Sequence, residues 1–136
     1  MIRRRTCGPH TTTRLIDSAV DDDCKVFRRR LREQLELLAA PADQSLAGVP
    51  DGCVKADELA LDFDNDYDAY VSNWGEKLSP EALAALRSID ELFDRMSDTR
   101  NPELWTEEAV KAHPAWSDVR RQAALALRLF NATAVD

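Results

Sequence analysis

The stretch "ADELALDFDNDYDAYVSNWG", residues 56–75, carries two competing periodicities, and the choice between them sets the fold class. Alternation of Leu59, Leu61 and Phe63 with polar or small residues is typical of a β-strand. A longer pattern of apolar and aromatic residues recurs at helical spacing and falls within an arc of about 80° on a helix. Its members are Leu59, Phe63, Tyr67, Tyr70 and Trp74. Because this pattern covers more of the chain, we predict a helix over residues 56–74, ended by Gly75 as a C′ residue.

Helical spacing recurs through the rest of the chain. Apolar residues between 27 and 38 repeat at intervals of three and four after an aspartate cluster, which predicts a first helix. The sequence "SPE" at 79–81 is typical of a helix start and opens an apolar pattern that runs to residue 96. A short helix is expected within 102–113, and Pro114 opens a last one. We predict a loop over residues 41–52, which contain two prolines and two glycines.

These elements define the predicted fold class. Four main helices and one short helix, with no credible second strand, indicate an all-α protein arranged as one bundle-like domain over residues 18–136. Residues 1–17 are rich in arginine and threonine and lack the apolar core of a secretory signal, so we expect a disordered basic tail there. A start codon placed too far upstream would explain this tail equally well.

Charge is distributed unevenly along the chain. The net charge of the protein is −7, but residues 1–32 carry nine basic and four acidic residues, a net of +5. The remaining residues carry nine basic and 21 acidic residues, a net of −12. An acidic body of this kind repels nucleic acid and anionic lipid and attracts basic protein surfaces. We therefore expect a basic protein partner, with no nucleic acid and no membrane among the ligands.

The spacing of the cysteines and histidines indicates neither a zinc site nor a set of disulfides. Cys7, Cys24 and Cys53 form no CxxC pair, and with only two histidines in the chain a zinc site is not expected. No apolar run approaches the roughly 20 residues that span a bilayer. We therefore expect reduced thiols in a cytoplasmic protein that uses no cofactor. The sequence leaves the oligomeric state open.

Four aspartates at alternate positions, Asp62, Asp64, Asp66 and Asp68, raise the question of metal or phosphate chemistry. A calcium loop that began at residue 62 would place Tyr67 where the turn glycine belongs and an asparagine where the bidentate glutamate belongs. Phosphotransfer of this kind usually needs a parallel α/β sheet, and a di-metal bundle needs Glu-x-x-His pairs. The sequence contains neither, so we predict no catalytic and no metal-binding residue.

The aspartates fit an acidic binding surface better. Between residues 56 and 76 the chain has seven acids and no base, although like charges four residues apart cost roughly 0.2–0.5 kcal/mol each. On a helix, Asp57, Asp64 and Asp68 point away from the aromatic stripe, and Asp62 and Asp66 lie on one flank. We predict that these five aspartates form a solvated surface for a basic partner. Plain solvation of the helix is the alternative.

Two segments, "ADELALDFDNDYDAYVSNWG" at 56–75 and "NPELWTEEAVKAHPAWSDVRR" at 101–121, resemble pieces of short helical bacterial proteins. Some small acidic proteins of that kind are immunity partners of polymorphic or contact-dependent toxins. The resemblance is one of composition, covers residues 56–121 and transfers no functional residue. It implies an all-helical protein that binds its toxin and occludes the active site without catalysing a reaction.

Two other functions are consistent with the sequence. A pocket between helices, lined by Tyr67, Tyr70 and Trp105, would make the chain a small ligand-binding domain or an enzyme. Exposed apolar positions such as Leu61 would instead support a self-associating structural module. Our leading prediction is the non-catalytic immunity- or antitoxin-like inhibitor, with the five aspartates as its contact residues.

Overall fold

The computed structural model describes residues 20–133, with side chains described for residues 23–132. This range folds as an array of helices without a β-strand, which confirms the all-α prediction. In chain order the helices are α1 (Val20–Ala39), α2 (Ala42–Ala47), α3 (Lys55–Trp74), α4 (Pro80–Asp98), α5 (Glu107–Ala112) and α6 (Pro114–Thr133). Two short 3₁₀ helices, Gly75–Lys77 and Pro102–Trp105, precede α4 and α5. The predictions for residues 1–17, Cys7 included, lie outside the described residues.

The four long helices pack around one apolar core. α1 lies between α3 and α6, and α4 packs along the other side of α6, whereas α3 and α4 approach each other at few points. Aromatic rings join the long helices through the core. Phe63 contacts Phe93 with ring centroids 6.0 Å apart, and Phe93 contacts Trp116 at 5.6 Å. The buried cluster contains the apolar faces that the periodicity of the sequence predicts.

The prediction of a loop over residues 41–52 is wrong for its first half, which forms the six-residue helix α2. Leu46 and Val49 of this segment are buried in the core. The Ser45 hydroxyl donates a hydrogen bond to the Leu37 carbonyl at 2.6 Å and so joins α2 to the end of α1. A helix this short is not stable by itself, and tertiary packing supplies the stabilisation that its sequence lacks.

The sequence predicts one end of the connection between α3 and α4 correctly and the other end incorrectly. Ser79 caps α4 as predicted, because its Oγ accepts a hydrogen bond from the Ala82 N–H at 3.1 Å. Gly75 does not adopt the left-handed conformation expected of a C′ residue, since its φ is −58°. The chain instead tightens into a 3₁₀ turn, in which the Leu78 N–H donates to the Gly75 carbonyl at 3.0 Å. This short connection makes α3 and α4 an antiparallel hairpin.

Two expectations about single residues are corrected. Leu61 is only 3% exposed, so it cannot supply the surface of a self-associating module. Cys24 is a buried free thiol, as expected, but Cys53 is disulfide-bonded. The expectation of reduced thiols therefore fails at Cys53. None of the described helices combines the length and apolar character that a membrane crossing needs.

Arg120 of α6 joins three elements of the fold. Its Nε donates to the Ala40 carbonyl at 3.2 Å, and its Nη2 donates to the Val110 carbonyl at 3.0 Å. Ala40 follows the last residue of α1, and Val110 lies in α5. One guanidinium group thus satisfies carbonyl oxygens near the ends of two helices, where intrahelical donors run out.

Replacement of Arg120 by methionine keeps the apolar stem of the side chain but removes both donors. Because two part-buried carbonyls lose a charged partner, we expect the free energy of unfolding to fall by about 2 kcal/mol. The control is Arg121→Met, since Arg121 is exposed and pairs with Asp118 on its own helix. Urea denaturation of the three proteins measures both changes. A loss no larger than that of the control would contradict the role given to Arg120.

Candidate acidic binding surface

The five predicted aspartates of α3 differ widely in exposure. Asp68 is exposed, and Asp57, Asp62 and Asp66 are half-buried. Asp64, which helical spacing places on the solvated face, is only 8% exposed, so that part of the prediction is wrong. The five carboxylates therefore do not form one uniformly solvated surface.

The reason lies in the first half of α3, which is buried on nearly every side. Glu58 and Asp64 are buried there together with Leu59, Ala60 and Leu61. α3 meets α1, α2, α4 and α5, so its first turns lie among neighbours, while its second half keeps an exposed side. A helical wheel assumes a single buried stripe, and this assumption fails where a helix runs through the interior of the array.

Asp66 faces α1 rather than solvent. Burial raises the pKa of its carboxyl group to about 6, and repulsion from Asp62 adds to the rise. The guanidinium of Arg30 and a hydrogen bond from Gln34, both on α1, oppose it. Asp66 is thus a carboxyl group of the α1–α3 interface, where its protonated form is favoured more than it is in water.

A second group of carboxylates lies between α3 and α4. Asp64 and Asp68 of α3 lie near Asp90 of α4, and Asp94 lies one turn further along α4; we call these four residues the α3–α4 seam. Burial raises the pKa of Asp90 to about 6, and repulsion from Asp94, Asp64 and Asp68 adds to this. The sequence prediction did not include Asp90 and Asp94. Their spacing of four residues, which puts them on one face of α4, is the signal that could have revealed them.

Aromatic rings form the floor of the α3–α4 seam. Phe63 and Phe93 make the aromatic contact between the two helices, and the Tyr67 ring stacks on Phe63 with centroids 5.4 Å apart. Burial raises the pKa of the Tyr67 phenol, Asp90 raises it further, and Arg87 opposes the rise. The seam therefore combines an apolar floor with carboxylates from both helices.

The predicted aromatic pocket is not formed. Tyr70 is fully buried, with its ring 5.7 Å from Phe130, and Trp105 packs edge-on against Trp116 at 6.0 Å. Phe130 and Trp116 are fourteen residues apart on α6, or about 21 Å along its axis. Tyr70 and Trp105 are therefore core side chains at opposite ends of α6. The third predicted residue, Tyr67, belongs to the floor of the seam.

Two grooves lie on the surface of the described residues, away from the predicted aromatic pocket. A groove of about 260 Å³ between α4 and α6 is lined by Ser88 and Gln122, among others. A groove of about 530 Å³ beside α5 is lined by Ala109 and His113, among others. None of the three predicted aromatic residues lines either groove. Over residues 23–132, no group of three or more His, Cys, Asp or Glu side chains is placed to hold a metal ion.

Negative charge is concentrated in the α3–α4 hairpin, residues 55–98. This segment has twelve acidic and four basic residues, a net of −8, compared with −7 for the whole chain. α1 has five residues of each sign, and residues 99–133 have four acidic and five basic residues. Because α3 and α4 are neighbours in the array, one half of the molecule is strongly acidic and the other is nearly neutral.

Comparisons of the chain with protein-family models, with curated proteins and with solved structures find no match. The resemblance to immunity proteins therefore stays a prediction. The function has to be inferred from the geometry and the charge of the molecule itself.

Substitution of Asp66 by asparagine should change how stability depends on pH. A carboxyl group with a raised pKa in the folded protein favours folding at low pH, and this contribution is lost as pH rises from 3.8 to about 6. Asparagine does not ionise, so the free energy of unfolding of Asp66→Asn should rise relative to wild type across that interval. Urea denaturation at several pH values measures the difference, with exposed Asp98→Asn as the control. If the free energy of unfolding depends on pH in the same way for wild type and Asp66→Asn, Asp66 is not an interface carboxyl group.

Proposed function

We propose that this protein is a non-catalytic acidic binding protein, which docks on a basic protein partner through the α3–α4 hairpin and acts as an immunity- or antitoxin-like inhibitor. The net charge of −8 on that hairpin is the observation that carries the proposal. α1 has equal numbers of acidic and basic residues, so a basic surface is attracted to one half of the helix array. A cytoplasmic location belongs to the same proposal.

The net charge of the hairpin attracts a basic partner before the two proteins are in contact. A strongly negative surface steers a basic partner and raises the association rate constant by about 10- to 1000-fold, an effect that salt weakens. A toxin that cleaves nucleic acid must bind phosphate, so its active site is basic. Carboxylates on a rigid helix can occupy the place of those phosphates. An inhibitor of this kind needs no catalytic residue of its own.

Exposure divides the five predicted aspartates into two roles in this proposal. Asp68 is exposed, and Asp57 and Asp62 are partly accessible, so these three are proposed to face arginine or lysine side chains of the partner. Asp64 and Asp66 lie deeper, between helices. Their proposed contribution is to the negative field of the hairpin rather than to direct contact.

The test compares two triple variants that change the net charge equally. One variant combines Asp57→Asn, Asp62→Asn and Asp68→Asn, and its control combines Glu103→Gln, Glu107→Gln and Glu108→Gln, three exposed positions at and before α5. Basic proteins captured from a native lysate at low salt are purified, and their association rates with each variant are measured against salt concentration. For the α3 variant we expect an association rate on the order of tenfold lower and a shallower salt dependence. The control should behave like wild type.

The outcomes separate a docking surface from a general effect of charge. Equal losses in both triple variants would mean that only total charge matters, and the hairpin would lose its proposed role. A partner that binds all three proteins equally would also contradict the proposal. Circular dichroism of each variant comes first, and if the triple α3 variant is unfolded, the single exposed variant Asp68→Asn takes its place.

A further inference from the structure

α4 and α6 pack closely and share one exposed surface. Residues at helical spacing on the two helices line the groove of about 260 Å³ between them. They include Glu91, Leu92 and Arg95 of α4 and Asp118, Arg121 and Gln122 of α6. Leu125 continues the same side of α6, one turn beyond Arg121. We call this surface, from the groove to Leu125, the α4–α6 face.

The charges of the α4–α6 face balance. The groove is lined by two acidic and two basic side chains, whereas the α3–α4 hairpin as a whole has a net charge of −8. Arg121 pairs with Asp118 on its own helix. Among residues 23–132, Glu91 and Arg95 have no ion-pair partner, although their spacing of four residues would allow them to pair with each other. A carboxylate and a guanidinium are therefore both available to a second molecule.

The same face carries an exposed apolar side chain. Among the described residues, Leu125 and Val54 are the exposed large apolar side chains, at 36% and 57%. An apolar cavity of about 150 Å³ holds a benzene molecule, so the groove beside Leu92 has room for the smaller side chain of a leucine. The exposed side of α1 is also balanced in charge, but neither of these two side chains lies on it. Balanced charge, an exposed leucine and a groove thus occur together on the α4–α6 face.

We propose that the α4–α6 face is the contact between two copies of this chain related by a two-fold axis, with Leu125 of each copy in the groove of the other. A two-fold contact places a surface against itself, so charges on that surface can pair only if both signs are present. Glu91 and Arg95 supply both signs. A chain with a net charge of −7 repels its own copy, and this repulsion is weakest where a neutral face meets a neutral face. The proposal goes beyond the proposed function, because it concerns the protein without its basic partner.

The order of the helices keeps α3 outside the proposed contact. α6 packs on α1 and on α4, and α1 lies between α6 and α3. The exposed side chain of Asp68 belongs to α3. A dimer formed through the α4–α6 face therefore leaves α3 of both copies open to other molecules.

The size of the face sets the affinity that we expect. α4 has 19 residues and α6 has 20, so each helix is about 30 Å long, and two packed helices are about 20 Å wide. The contact can therefore bury on the order of 600 Å² on each copy, or roughly 1,200 Å² in total, which is the lower end for a specific interface. We expect a reversible dimer with a Kd in the micromolar range.

Sedimentation velocity of the full-length chain alone tests this at concentrations from about 1 to about 300 µM, in about 0.15 M salt. For wild type we expect the mean mass to rise from 15.3 kDa toward twice that value. Leu125→Asp should raise the Kd by on the order of tenfold or more, because each dimer then buries two carboxylates in place of two leucines. The control is Val54→Asp, which makes the same chemical change at the other exposed apolar side chain and should dimerise like wild type.

A wild-type chain that stays at 15.3 kDa over the whole range overturns the proposal. Dimerisation of Leu125→Asp with the affinity of wild type also overturns it, as does an equal loss in Val54→Asp. Growth beyond a dimer would indicate a head-to-tail contact instead of a two-fold one.

A second variant keeps the test decisive if circular dichroism shows that Leu125→Asp does not fold. Arg95→Glu makes the balanced face acidic and should weaken the dimer, whereas its control, exposed Lys77→Glu, should not. The same outcomes then apply. Because no basic partner takes part, failure here leaves the proposed function untouched, and failure of the binding test leaves this proposal untouched.

Discussion

The direct packing of α4 on α3 depends on the contact between Phe63 and Phe93, because the two helices otherwise approach each other at few points. Phe93 also packs on Trp116 of α6, whose indole N–H donates to the Leu104 carbonyl at 2.7 Å. Fully burying an aromatic ring of this size stabilises a fold by roughly 1.5–3 kcal/mol. These rings therefore join α3, α4 and α6 in one buried aromatic cluster beneath the α3–α4 seam.

The same arrangement gives the aspartates of α3 three different environments. One flank of the helix meets α1, where Arg30 and Gln34 surround Asp66. The α4 side meets the carboxylates of the neighbouring helix, and the second half of α3 keeps Asp68 in solvent. A single acidic stretch of sequence thus supplies an interface carboxyl group, a seam and an exposed surface. The exposed part is the surface that the proposed function uses. The half-buried carboxyl group of Asp66 has a raised pKa, so part of the negative charge of the hairpin depends on pH.

The sequence predicts the elements of this fold better than it predicts their surroundings. The aromatic stripe of α3 and the Ser79–Pro80 start of α4 are local signals, and the structure contains both helices where those signals place them. The helix α2, the two hydrogen bonds of Arg120 and the burial of Asp64 depend on residues distant in the chain. Periodicity reports which face of a helix is apolar, but it does not report how many neighbours the helix has. The spacing of Asp90 and Asp94 places both on one face of α4, but whether that face lies near α3 depends on how the hairpin packs.

Carboxyl footprinting of the complex tests most directly whether the α3–α4 hairpin receives a basic partner, as proposed. Carbodiimide coupling of an amine labels accessible aspartate and glutamate side chains, and mass spectrometry locates the label with and without the partner. We expect the bound partner to protect Asp68 and its exposed neighbours on the hairpin from labelling, while Glu103, Glu107 and Glu108 stay as reactive as in the free protein. Protection of those three glutamates, together with unchanged labelling of the hairpin, would contradict the proposal that the hairpin binds the partner.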